Sequence, residues 1–172
     1  MLKIPACICF FMGCFGFGYF KVMEYKRRYE ELIYIRYILN ALLLEMEHKR
    51  GTLGESCLFL ASKIKEPYKS IFNDLYELLE KERKKMPQFY WAEKMSELAR
   101  CISLKKEEIT ILQGVIRCAD GTAMEMPVEV LRESITEWDK VIVREEQTQK
   151  EKSKVTICLS LTAGLLLCIL VI

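Results

Sequence analysis

Residues 155–172 read VTICLSLTAGLLLCILVI, without a charged side chain. A helix rising about 1.5 Å per residue carries this stretch roughly 27 Å, close to the core thickness of a bilayer. At the other end, residues 4–20 read IPACICFFMGCFGFGYF, again without a charge. A buried core helix is the alternative for either stretch. The segment between them is too small to bury two more helices that are apolar all round. Both stretches are therefore expected to be transmembrane helices. They divide the chain into an N-terminal span (1–22), a cytoplasmic body (23–154) and a C-terminal span (155–172).

The charges support this division and orient it. Residues 23–154 hold all 24 acids and all but two of the 26 bases, and the whole chain carries a formal net charge of only +2. Overall hydropathy (+0.08) averages two greasy ends and a heavily charged middle. A balanced charge gives no general attraction to nucleic acid or to acidic substrates. A cleavable signal peptide carries its bases before the apolar run. Here only Lys3 stands there, while Lys21, Lys26, Arg27 and Arg28 follow it. A retained anchor is expected. Lys150, Lys152 and Lys154 precede the second span, so the positive-inside rule places the body in the cytoplasm. Cys14 and Gly18, like Ser160 and Gly164, are four apart, a spacing of small residues that lets helices approach closely in lipid.

The body reads as helices only. Leu32, Ile35, Leu39, Leu42 and Met46 recur at spacings of three and four, and Gly51 closes that first helix. A second is expected over 54–66. Pro67 opens a third, carrying Tyr68, Ile71, Phe72, Leu75, Leu78 and Leu79 into the charged run 80–85. Pro87 opens a fourth, with Phe89, Ala92, Met95 and Leu98 inward. Ser103 is the expected N-cap of a fifth, which carries Ile109, Leu112, Ile116 and Ala119 to Asp120-Gly121. Pro127 opens a sixth, with Leu131, Ile135, Trp138 and Ile142 inward. Two spans entering one membrane require an even number of alternating helices. The expected fold is all-α, an antiparallel six-helix bundle with helices one and six adjacent, flanked by the two transmembrane helices.

Little chemistry is available to such a chain. The single histidine, His48, sits at the end of helix one and reads as a surface residue that complements the helix dipole. Of the eight cysteines, Cys7, Cys9, Cys14, Cys158 and Cys168 lie in the spans. Cys57, Cys101 and Cys118 read as core residues in a reducing compartment. No catalytic residue, metal site or cofactor is expected, and no phosphate-cradling glycine loop is present. The run 81–85 with Phe89, Tyr90 and Trp91 reads as a solvated helix end. Interleaved acids argue against nucleic acid as a partner, and nothing points to a small-molecule substrate. The remaining class is protein docking at a membrane.

Several short segments carry a family resemblance: Met1-Leu2-Lys3, Leu42 to Glu45, Gly51-Thr52-Leu53, Ser103-Leu104-Lys105-Lys106, Asp120-Gly121, and Ala163-Gly164-Leu165-Leu166-Leu167. In this order and topology the whole chain resembles stage III sporulation protein AB of endospore-forming bacteria. That family is in turn similar to the cytoplasmic domain of the platform proteins of type II secretion and type IV pilus machines. The resemblance implies a non-enzymatic component of the channel complex joining mother cell and forespore. It would sit in the mother-cell membrane facing the forespore, with its body in the mother-cell cytoplasm. Its partners would be the membrane, a secretion-type ATPase and other membrane subunits of the complex. Motif position and charge single out Glu45, Glu47, Arg50, Lys105 and Lys106 as partner-binding residues. The competing class is a membrane-tethered adaptor or signalling scaffold that works without a motor.

Overall fold

The computed structural model describes residues 3–48, 52–82, 86–116 and 128–171. Among them are six α-helices and no strand. They are α1 (Lys3–His48), α2 (Leu53–Ala61), α3 (Tyr68–Glu77), α4 (Pro87–Ile102), α5 (Lys106–Gly114) and α6 (Val128–Val171), with a π-helical turn, Leu78–Glu82, following α3. The chain forms two compact units. One is Met1–Leu32 with Ile142–Ile172, and the other is Ile33–Val141.

In the first unit α1 and α6 lie side by side and antiparallel. Gly18 is buried against α6: a Cβ placed on it would fall 2.5 Å from Ser160 Oγ and 2.9 Å from Ser160 Cβ. Further along, Lys152 Nζ lies 6.0 Å from the Tyr25 ring centre, and Arg28 Nε donates to Glu145 Oε1 at 3.1 Å. Met12, Phe15, Phe17, Leu159, Leu165 and Leu166 are exposed. Among the described residues no helix is long and apolar enough to cross a membrane. Of the two stretches expected to do so, the side chains at 4–11, 14, 167, 168 and 170–172 lie outside the described residues.

In the second unit the same two helices are again antiparallel. As α1 advances from Arg36 to Glu47, α6 retreats from Asp139 to Arg132, its partners in two ion pairs. The core gathers Ile35, Ile38, Leu39 and Leu42 of α1, Tyr68, Ile71, Phe72 and Leu75 of α3, and Leu131 and Trp138 of α6. Trp91 joins three helices. From α4, its indole N–H donates to the Leu112 carbonyl of α5 at 2.6 Å, and its ring meets Phe72 of α3 edge-on at 6.1 Å. A void of about 10 Å³ among these side chains is lined by apolar groups. A site that small and dry holds at most one water and no substrate.

The helix boundaries and faces depart from expectation in five places. First, α2 ends at Ala61, not at residue 66. Pro67 bars the preceding residues from helix, because its ring clashes with the carbonyl four residues back. Second, α3 gives way to the π turn at Leu78, which turns Glu80 toward the start of α2. There Thr52 Oγ1 donates to Glu80 Oε1 at 3.2 Å. Third, Ser103 does not cap the fifth helix; it terminates the fourth, in the left-handed region at φ 53°, ψ 50°. Leu104 N–H then reaches back to the Ala99 carbonyl at 3.1 Å, and α5 begins only at Lys106. Fourth, α5 stops at Gly114, a residue that weakens helix interiors, so Val115 and Ile116 enter the core from beyond its end. Fifth, Phe89 is 56% exposed, and Tyr90, Trp91, Met95, Leu98 and Ala99 form the inner face of α4. The Trp91 bond to α5 fixes that rotation. Ala119, Asp120-Gly121 and Pro127 lie outside the described residues.

Candidate docking surface

The residues expected to meet a partner fall at two helix ends. Glu45 and Glu47 occupy the last turn of α1, Glu45 half-buried and Glu47 committed to Arg132 at 2.5 Å. Arg50 lies outside the described residues. Lys105 and Lys106 are consecutive and exposed at the start of α5. Each pair is local to its own helix end.

A buried acid that the sequence reading missed builds the second of these ends. Glu108 is only 1% exposed. Its Oε2 accepts the backbone N–H of Lys105 at 2.7 Å, satisfying one of the free donors that open a helix. A carboxylate in the first turn also suits the helix dipole. The left-handed Ser103 and the Glu108 bond together hold the Lys105-Lys106 backbone in a fixed geometry. The signal was present as Glu three residues after Lys105, but a lysine at an N-cap position does not advertise a capping box.

The start of α2, which follows the end of α1 in the chain, is built similarly. Thr52 Oγ1 accepts the Glu55 N–H at 3.2 Å, and Thr52 N–H donates to Glu55 Oε2 at 3.1 Å, a reciprocal cap that starts α2 at Leu53. Gly54 permits Glu80 to approach: a Cβ there would lie 2.8 Å from Glu80 Oε1. His48 is exposed, with Nδ1 3.0 Å from the Leu44 carbonyl, which fits the surface role expected of it.

The cysteines divide. Cys57 is fully buried in α2, and burial pushes its thiol far above the ordinary range. Cys101 is exposed rather than in the core, because the α4 face built on Trp91, Met95 and Leu98 leaves position 101 outward. Cys118 lies outside the described residues. Among the described residues no cluster of three or more His, Cys, Asp or Glu side chains is arranged to hold a metal. Lys94 is the most enclosed lysine with resolved partners. Burial lowers its pKa, but Asp74 at 2.7 Å and Glu97 at 2.9 Å more than offset that, and the net direction is upward.

Over residues 3–172 the sequence matches the family described as stage III sporulation protein AB. The chain belongs to that family. No curated protein and no solved structure matches it. Membership carries a role at the third stage of sporulation. For this stage III sporulation protein AB family member, the Ser103-Leu104-Lys105-Lys106 segment is a helix-to-helix junction with both lysines outward.

Proposed function

We propose that the protein is a non-enzymatic, membrane-anchored platform component of the mother cell–forespore channel, docking a secretion-type ATPase to the membrane. The observation that carries this reading is in the first unit. There Gly18 lets α1 and α6 approach closely, while Phe15, Phe17, Leu159, Leu165 and Leu166 face outward. Small residues between helices and large apolar residues outside suit a solvent of lipid rather than water. In this reading the uncharged stretches 4–20 and 155–172 span the mother-cell membrane. Residues 23–154 then lie in the mother-cell cytoplasm. Lys105 and Lys106, with Glu45, Glu47 and Arg50, meet the ATPase, and other membrane subunits of the complex pack against the spans.

Three experiments test this. Alkaline extraction of membranes should leave the protein in the pellet, and protease added outside intact cells should spare residues 23–154. Extraction into the soluble fraction would remove the anchor. Pull-down of the ATPase should weaken for Lys105→Glu/Lys106→Glu, most at low salt, since exposed charges act chiefly on specificity and association rate. Unchanged retention across salt concentrations would remove those lysines from the contact.

A further inference from the structure

A second surface of the Ile33–Val141 unit has features that ATPase docking does not use. Lys63 and Lys65 stand exposed in the turn after α2, and each ammonium is held over an aromatic ring. Lys63 Nζ lies 4.1 Å from the Phe59 ring centre, and Lys65 Nζ lies 4.4 Å from that of Tyr34. A cation over a ring face is attracted by the ring's quadrupole but keeps its full charge. Among the described residues neither lysine has a carboxylate partner. The acid beside them, Glu66, instead accepts the Ser70 N–H at 3.2 Å. Three other bases of the unit are paired: Lys81 with Glu77, Lys94 with Asp74 and Glu97, and Arg36 with Asp139.

The lysines adjoin apolar surface. The Tyr34 hydroxyl accepts the Lys65 N–H at 2.9 Å, and its ring stacks on Tyr37 at 6.0 Å and meets the buried Tyr68 edge-on at 5.0 Å. Tyr37 is 53% exposed, and Ile33, one turn away on the same face of α1, is 41% exposed. The surface is thus rigid. Tyr34 is clamped between the turn and the core, both ammoniums rest on rings, and two apolar side chains stand beside them. Aromatic side chains are enriched at protein interfaces, and the two lysines at the edge of this patch supply charge that steers a partner of opposite sign.

We propose that Ile33, Tyr34 and Tyr37 with Lys63 and Lys65 form a docking site for an acidic amphipathic helix of a partner protein. The partner's apolar stripe covers Ile33 and Tyr37, and its glutamates reach the two ammoniums. Charge complementarity selects the acidic partner. An anionic membrane is the poorer fit, because lipid-binding clusters carry about four to eight bases, more than this turn supplies. The site is separate from the helix ends assigned to the ATPase and stands whether or not that assignment holds.

The test uses the full chain in nanodiscs of zwitterionic lipid and a fluorescent synthetic helix with a leucine stripe flanked by glutamates. Anisotropy should show salt-sensitive binding, weakened about tenfold by Lys63→Glu/Lys65→Glu and severalfold by Tyr37→Ala. All these side chains are exposed, so an unchanged circular dichroism melt separates lost binding from lost folding. A peptide with glutamine in place of glutamate should bind as weakly as the double variant does. Equal binding by wild type and double variant, or by the two peptides, overturns the proposal. So does loss, in the double variant, of binding to phosphatidylglycerol vesicles or of self-association while peptide binding is unaffected. Those outcomes assign the surface to lipid or to a second copy.

Discussion

Replacing Gly18 by alanine tests the packing of the first unit directly. The new Cβ would lie 2.5 Å from Ser160 Oγ and 2.9 Å from Ser160 Cβ. The hydroxyl can turn away at the loss of its 2.9 Å bond to the Ile157 carbonyl, but Ser160 Cβ is fixed to its backbone. Carbon atoms settle at about 3.5–4.0 Å, so the helices must part by roughly half an ångström or more. A gap of that size forfeits about a quarter to a half of each facing contact. Spread over the turns around Gly18, the cost is on the order of 1–2 kcal/mol, the range of overpacking at a close contact. Ser160→Gly in the same chain removes both clashing atoms, so Gly18→Ala/Ser160→Gly should recover most of the loss. The assay is equilibrium unfolding of the full chain in mixed micelles by increasing SDS, run as a double-mutant cycle. A Gly18→Ala protein as stable as wild type would refute the reasoning. So would a double variant no better than the sum of the two singles.

Three further outcomes follow from the second unit. Trp91→Phe strips the donor from the buried Leu112 carbonyl and should cost about 1–3 kcal/mol in urea unfolding; a loss below a few tenths would mean that water or another group satisfies that carbonyl. Maleimide should label Cys101 in the folded protein, whereas Cys57, buried and with its thiol pushed upward, should react only after unfolding; comparable rates at the two sites would contradict the burial. Lys94 has a folded-state pKa raised above its unfolded one, so its ion pairs contribute stability below the ordinary lysine range of about 10.4. That contribution is lost as pH rises through the folded value, and the gap in melting temperature between wild type and Lys94→Met should close above that range. A gap independent of pH would assign the effect to packing of the lysine stem.

The inward faces of α1, α3 and α6 were legible because their apolar residues recur with helical period: Ile35, Leu39 and Leu42, then Tyr68 and Leu75, then Leu131 and Trp138 are all buried as spaced. The α4 face was misread because two aromatics in a row, Tyr90 and Trp91, fit the period as well as Phe89 does. What decides between them is a hydrogen bond to α5, which no local pattern encodes. Ser103 was misread because serine is common at N-caps and uncommon in the left-handed region; the backbone bond from Leu104 to Ala99 that demands that conformation is visible only in three dimensions. Of the expected contact residues, the exposure of Lys105 and Lys106 followed from charge. The Glu47–Arg132 pair joins positions far apart in sequence and had no signature.

The ion pairs along α1 and α6 add little stability but do constrain how the helices meet. Arg36–Asp139 is largely exposed, as is the Arg132 side of Glu47–Arg132, and such pairs are worth about 0–1 kcal/mol each. Their arrangement carries information all the same, because the sign of the α1 partner alternates: a base at 36, an acid at 47. Sliding α6 by the interval between its two partners would bring Arg132 to Arg36, like against like, while the apolar faces of both helices would still roughly match. Hydrophobic burial supplies most of the free energy and tolerates that slip; the charges disfavour it. The docking role proposed for Glu45 and Glu47 would need the end of α1 at a fixed height. Reversing Arg36 and Asp139 together should therefore preserve the fold, whereas reversing Arg36 alone should loosen the pairing more than it lowers overall stability. Amide exchange along 36–47 and 132–139 would detect the difference, and uniform protection in the single variant would show that packing alone sets the register.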